Sequence, residues 1–133
     1  MTPSTVSAVL FDLDGTLIDT APEFIHIGMQ LRAEADLPPI DAKTIWHSVS
    51  NGAIGMVEAA LEMPAGDPAF EQWRQRFLTL YEAGLGDLSH PYPGLPELVA
   101  GLDKVGIAWG VVTNKLSRFA LPLMSKMPFD PAA

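Results

Sequence analysis

Residues 9–20 read "VLFDLDGTLIDT", and this stretch decides the fold. An apolar run holding the β-branched Val9 and the aromatic Phe11 meets an acidic turn that carries Asp12, Asp14 and Asp19, with Gly15 among them. "SAVLFDL", residues 7–13, therefore reads as a strand buried on both faces, as in a parallel sheet. Carboxylates this close repel one another unless a cation relieves them. Ligands of parallel α/β sheets bind beyond the carboxyl ends of the strands, so Asp12 stands at the chemically active edge.

Outward from this strand the pattern turns helical. Asp19 or Thr20 is expected to cap a helix with Pro22 in its first turn and Phe24, Ile27 and Leu31 on its apolar face. A second helix is expected after a cap at Asp41, burying Ile45, Trp46 and Val49, and a third with Met56, Val57, Ala60 and Leu61. A fourth follows the start signal Asp67-Pro68 and carries Phe70, Trp73, Phe77, Leu80 and Tyr81. Trp46, Trp73, Phe77 and Tyr81 are expected in the core of this helical module. "DLSHPYPGLP", 87–96, is a proline-punctuated linker into a helix with Leu95, Leu98, Val99 and Leu102 on one face. "IAWGVVTN", 107–114, reads as a second buried strand ending in Thr113 and Asn114, and a last helix contains Pro122. The order is that of a βαβ core with a helical insertion.

Bulk properties exclude several classes. Eight Lys plus Arg against sixteen Asp plus Glu give a net charge of −8, unsuited to gripping nucleic acid or an anionic membrane surface. No cysteine is present, which removes disulfides, a thiolate nucleophile and cysteine zinc sites, and fits a reducing cytoplasm. The N-terminus "MTPSTVSAVLF" has no basic segment, and its apolar run reaches Asp12 too soon for a signal peptide or a membrane span. A cytoplasmic protein is expected, its oligomeric state open. His26, His47 and His90 are given no catalytic part.

Asp12 and Asp14, one residue apart, can point two carboxylates, or a carboxylate and a carbonyl, at one centre. That donor set suits Mg²⁺. One carboxylate could then attack phosphorus while the other exchanges protons with the leaving group and with water. An isolated D-x-D also occurs in solvated turns. The whole string "DLDGTLIDT", directly after a strand and before a helical insertion, resembles the first signature of the haloacid dehalogenase-like hydrolase superfamily.

The resemblance covers residues 7 to about 124. It implies an α/β fold with a Rossmann-like parallel sheet core, here incomplete at about two strands (1–20 and 88–133), and an inserted α-helical cap (21–87). It also implies that Asp12 is the nucleophile that forms an aspartyl-phosphate. Asp14 would be the general acid and base that offers its backbone carbonyl to Mg²⁺, so Asp12 and Asp14 are the metal residues. Gly15 and Thr16 complete the phosphate loop. "VVTNK", 111–115, resembles the second signature, in which Thr113 and the amide of Asn114 hold a phosphate oxygen. Lys115 either approaches the same anion or is solvated.

An Asp at position 14 points to a phosphatase or phosphomutase rather than a dehalogenase. "SNGA" at 50–53 and "HPYPGLPELVAGL" at 90–102 resemble bacterial phosphoglycolate phosphatases. Asn51 and Gly52 would then contact the leaving group from a cap loop spanning 47–55. The implied activity is Mg²⁺-dependent hydrolysis of a small phosphorylated metabolite, with 2-phosphoglycolate favoured. The alternatives are another small-molecule phosphatase, a sugar phosphomutase, or an inactive truncated fragment that binds a phosphate or a partner subunit.

The sequence departs from the family after its second strand. At least two further strand–helix units, the lysine of the third signature and the acidic pair of the fourth are expected, and the sequence contains none of them. In the closing "SKMPFDPAA", neither Lys126 nor Asp130 has the setting of those residues, and Lys115 stands too early to be the third-signature lysine. The expectation is a truncated product or a fragment.

Overall fold

A computed structural model describes residues 5–129; Asp130 lies outside the described residues. The chain divides into two compact units, one formed by the chain up to Asp19 and from His90 onward, the other by Thr20–Ser89.

In the first unit β1 (Ala8–Phe11) pairs in parallel with β4 (Ala108–Val111) in the register Ala8↔Ala108 to Phe11↔Val111. Helix α5 (Leu95–Lys104) precedes β4 and packs on it. Trp109 donates its indole N–H to Asp103 of that helix at 3.2 Å and meets Phe11 edge to face at 6.0 Å. That face of the sheet is covered. The expectation of strands buried on both faces is not met, because Leu10 on the opposite face is 63% exposed and Val112 is exposed as well. A parallel strand is buried twice only where helices lie on both sides of the sheet.

A second, antiparallel pairing joins β2 (Ile18–Asp19) to β3 (His90–Pro91), with Ile18 opposite Pro91 and Asp19 opposite His90. The chain therefore leaves this unit and returns to it side by side. The pairing corrects one expectation: Asp19 is a strand residue, not a cap. Thr20 holds the cap position of α1 (Ala21–Glu34) in a helical conformation and makes no side-chain capping bond. A side-chain cap needs an extended backbone there. Burial and, after it, the Asp19 carboxylate raise the Tyr92 phenol above its ordinary pKa.

The second unit holds α1, α2 (Ala42–Trp46), α3 (Gly52–Leu61) and α4 (Phe70–Ala83). Most of the expected core is there, with Phe24, Ile27, Leu31, Met56, Val57, Ala60, Leu61, Phe70, Phe77 and Tyr81 buried, but Val49, Trp73 and Leu80 are only half-buried. Phe24 stacks on Phe77 at 6.0 Å and lies 5.0 Å from Tyr81. Asp41 caps α2 as its sequence indicates, accepting from the Lys43 N–H at 2.9 Å. Trp46 does not join the core. Helix α2 is barely longer than one turn, so only one of its side chains can face inward; Ile45 does, and Trp46 is 56% exposed beside His47.

Two buried charges hold this unit together. The Glu23 carboxylate accepts from the Gly86 N–H at 2.8 Å and from the Ser89 hydroxyl, fastening the end of the unit to the first turn of α1. Arg32, 3% exposed, donates to the carbonyls of Pro38 at 2.7 Å and Ala60 at 2.8 Å. These bonds compensate the cost of taking a guanidinium out of water. Arg32→Met is expected to leave both carbonyls short of a charged donor and to cost about 2–3 kcal/mol; urea unfolding followed by circular dichroism checks it.

Candidate active site

The edge at which β1 and β4 end collects the acidic loop and the Thr-Asn-Lys segment. The ladder runs one step beyond the named strands, because the Val112 N–H donates to the Phe11 carbonyl at 2.9 Å. Asp12 and Thr113 thus leave the sheet from one edge. That follows from a parallel register, which ends both strands in the same direction.

Between Asp12 and Ile18 the chain forms a tight loop. The Leu13 carbonyl accepts from the N–H groups of Thr16, Leu17 and Ile18 at 3.1–3.3 Å, and the Gly15 N–H donates to the Ile18 carbonyl at 2.9 Å. Gly15 stands at φ +78°, a conformation that a side chain disfavours. Asp12 is exposed at the loop's start, and its Oδ1 accepts from the Leu13 N–H at 2.8 Å. Asp14 is half-buried, and its Oδ1 lies 3.0 Å from the Lys115 Nζ.

On the β4 side the Thr113 hydroxyl accepts from the Lys115 N–H at 3.1 Å, fixing the turn after the strand. Asn114 is exposed. Asp12, Asp14, Gly15, Thr16, Thr113, Asn114 and Lys115 therefore belong to one unit. Asn51 and Gly52 belong to the other, where Asn51 closes a short 3₁₀ turn (Val49–Asn51) and Gly52 opens α3 at φ +68°.

The Asp12 carboxylate and the Asp14 backbone carbonyl form a hard-oxygen donor set that fits Mg²⁺, an ion that keeps waters and needs only one or two carboxylates. Among the described residues no group of three or more His, Cys, Asp or Glu side chains is arranged to hold a metal. Asp12 and Asp14 would hold the ion with carbonyls and water.

The family model for haloacid dehalogenase-like hydrolases matches residues 9–131. This chain belongs to that family. It is 48% identical over 124 residues to an N-acetylmuramic acid 6-phosphate phosphatase of Pseudomonas aeruginosa, covering 93% of this chain and 55% of the relative. It is 38% identical over 125 residues to a phosphoglycolate phosphatase of Agrobacterium fabrum, covering 89% of this chain and 52% of the relative. A crystal structure described as a predicted phosphoglycolate phosphatase from Haemophilus somnus superposes with a TM-score of 0.77 at 24% identity. That match covers 92% of this chain and 58% of the other, and it shows the shared fold. The chain spans about half the length of the curated relatives it matches.

The sequence reading missed one determinant in the helical unit. A Cβ built at Gly55 would collide with the Cβ of Asn51, so the absence of a side chain at 55 is what lets the Asn51 side chain lie back along α3. An N-x-x-x-G spacing at a helix start was the available signal. Gly55→Ala is expected to push the Asn51 Cβ, and with it the backbone at the start of α3, and to cost about 1–3 kcal/mol; the Asn51 backbone and side-chain amide resonances and the urea midpoint check it.

Proposed function

We propose that the chain carries the nucleophile and phosphate-holding part of a phosphomonoester hydrolase working through an aspartyl-phosphate on Asp12. The observation that carries this reading is the β1–β4 register, with the Val112 N–H on the Phe11 carbonyl, because it gives the Asp12 loop and Thr113 a common edge.

In the first step an Asp12 carboxylate oxygen attacks phosphorus, the ester P–O bond breaks, and Asp14 gives its proton to the leaving oxygen. In the second, water attacks the same phosphorus, Asp14 takes a proton from that water, and Asp12 is released with inorganic phosphate. The Thr113 hydroxyl and the Asn114 amide hold phosphoryl oxygens as charge builds on them. Gly15 and Thr16 shape the loop beneath, and Lys115 lies against Asp14 at the same edge. When bound, Mg²⁺ supplies charge neutralisation between the carboxylates and the phosphate.

For the substrate, both relatives are named for small phosphorylated metabolites. The resemblance in "VVTNK" and "SNGA" favours 2-phosphoglycolate, whereas 48% identity against 38% favours N-acetylmuramic acid 6-phosphate. The second is the stronger support. Assayed side by side with Mg²⁺, N-acetylmuramic acid 6-phosphate is expected to release phosphate with the higher kcat/KM. Asp12→Asn is expected to lower turnover at least about a thousandfold. Turnover that survives Asp12→Asn contradicts the nucleophile, and isomerisation without phosphate release points to a mutase.

A further inference from the structure

We infer that Lys115 is a positioning residue that holds the Asp14 carboxylate at the sheet edge, rather than a ligand of the phosphate. This rests on the proposed role of Asp14 as proton carrier. The two residues are 101 positions apart in the chain, yet the Lys115 Nζ lies 3.0 Å from the Asp14 Oδ1.

Among the ion pairs of the described residues Arg32 is buried, but its Glu62 partner stands 3.7 Å away and 71% exposed, and its guanidinium is met by backbone carbonyls. Arg76 and Glu34, also far apart in sequence, meet with side chains 43% and 31% exposed, as surface pairs of small energetic value do. The Lys115 side chain is 7% exposed and that of Asp14 31%. An ammonium taken that far from water needs a fixed anionic partner, since the loss of hydration is otherwise uncompensated. The backbone is built to deliver it. The Thr113 hydroxyl accepts from the Lys115 N–H and sets the turn after β4, while Gly15 at φ +78° folds the acidic loop so that Asp14 faces that turn.

A carboxylate tied through one oxygen is restricted in its rotamers. A proton carrier must stay within hydrogen-bond reach of the reacting oxygen, and small displacements there cost rate steeply. Lys115 thus acts through Asp14, and Thr113 acts both on the phosphate and, through the turn, on Lys115.

The test uses the 133-residue chain labelled with ¹³C-aspartate, with the Trp109 indole resonance as the check that the fold is intact. In Lys115→Met the Asp14 carboxyl resonance is expected to shift while that of Asp67 stays, and Lys115→Arg is expected to restore it in part. An Asp14 resonance that does not move in folded Lys115→Met overturns the inference. With p-nitrophenyl phosphate as probe, Lys115→Met is expected to lower kcat about 10- to 100-fold with KM within about twofold. A raised KM at unchanged kcat overturns it in favour of a phosphate ligand. Absence of turnover in the unmodified chain counts against the proposed hydrolase instead, and the Asp14 resonance still decides the Lys115 contact.

Discussion

The parallel pairing of β1 with β4 is the constraint on which the site depends. It joins Ala8 to Ala108 and Phe11 to Val111 across the whole helical insertion. Contacts so distant in sequence carry a loop-closure cost that local structure does not repay. Here the closure is offset by the packed face of the sheet, where Phe11, Trp109 and the Asp103 end of α5 meet, and it is supported by the short β2–β3 pairing where the chain leaves and returns. A slip by one residue in this register would turn Phe11 and Trp109 to the open face. It would also separate the Asp12 loop from Thr113 and Lys115.

Electrostatics at that edge follow from the same pairing. A loop with Asp12 and Asp14 is repulsive in isolation, and the chain as a whole carries a charge of −8. The nearby cation is Lys115, delivered from the other strand onto Asp14. In the proposed reaction an anionic substrate is therefore handled by local groups: a hydroxyl, backbone amides and Mg²⁺. The helical unit solves a separate problem of stability, tying its two ends together through Glu23 and its α1–α3 contact through Arg32.

Much of this was legible in the sequence, for identifiable reasons. The 3.6-residue spacing of Phe24, Ile27 and Leu31, and of Met56, Val57, Ala60 and Leu61, reported a one-sided core that the structure contains. Asp41 was readable as a cap because an extended Asp before an apolar-periodic run has few other uses. The acidic loop was readable because its residue order and its place after a strand are jointly rare. Other features depended on what a residue meets, which spacing does not encode. Trp46 is hydrophobic yet exposed, since a one-turn helix buries one side chain. Asp19 was lost as a cap to a two-residue strand pairing too short to leave a pattern. Lys115 was placed near the phosphate edge, but its contact with Asp14 spans 101 positions and exists only through the register. Glu23 and Arg32 gave no signal at all, because a charge within a helix ordinarily reads as solvent-facing.

The central claim is that Asp12 accepts the phosphoryl group, and the measurement that tests it most directly is covalent trapping. The chain is mixed with Mg²⁺ and N-acetylmuramic acid 6-phosphate, quenched in acid, and the peptide spanning residues 9–20 is examined by mass spectrometry. The account predicts one phosphoryl group on Asp12, lost on treatment with hydroxylamine and absent from Asp12→Asn. Phosphate release with no acyl-phosphate on that peptide, or a phosphoryl group on a different residue, would contradict it.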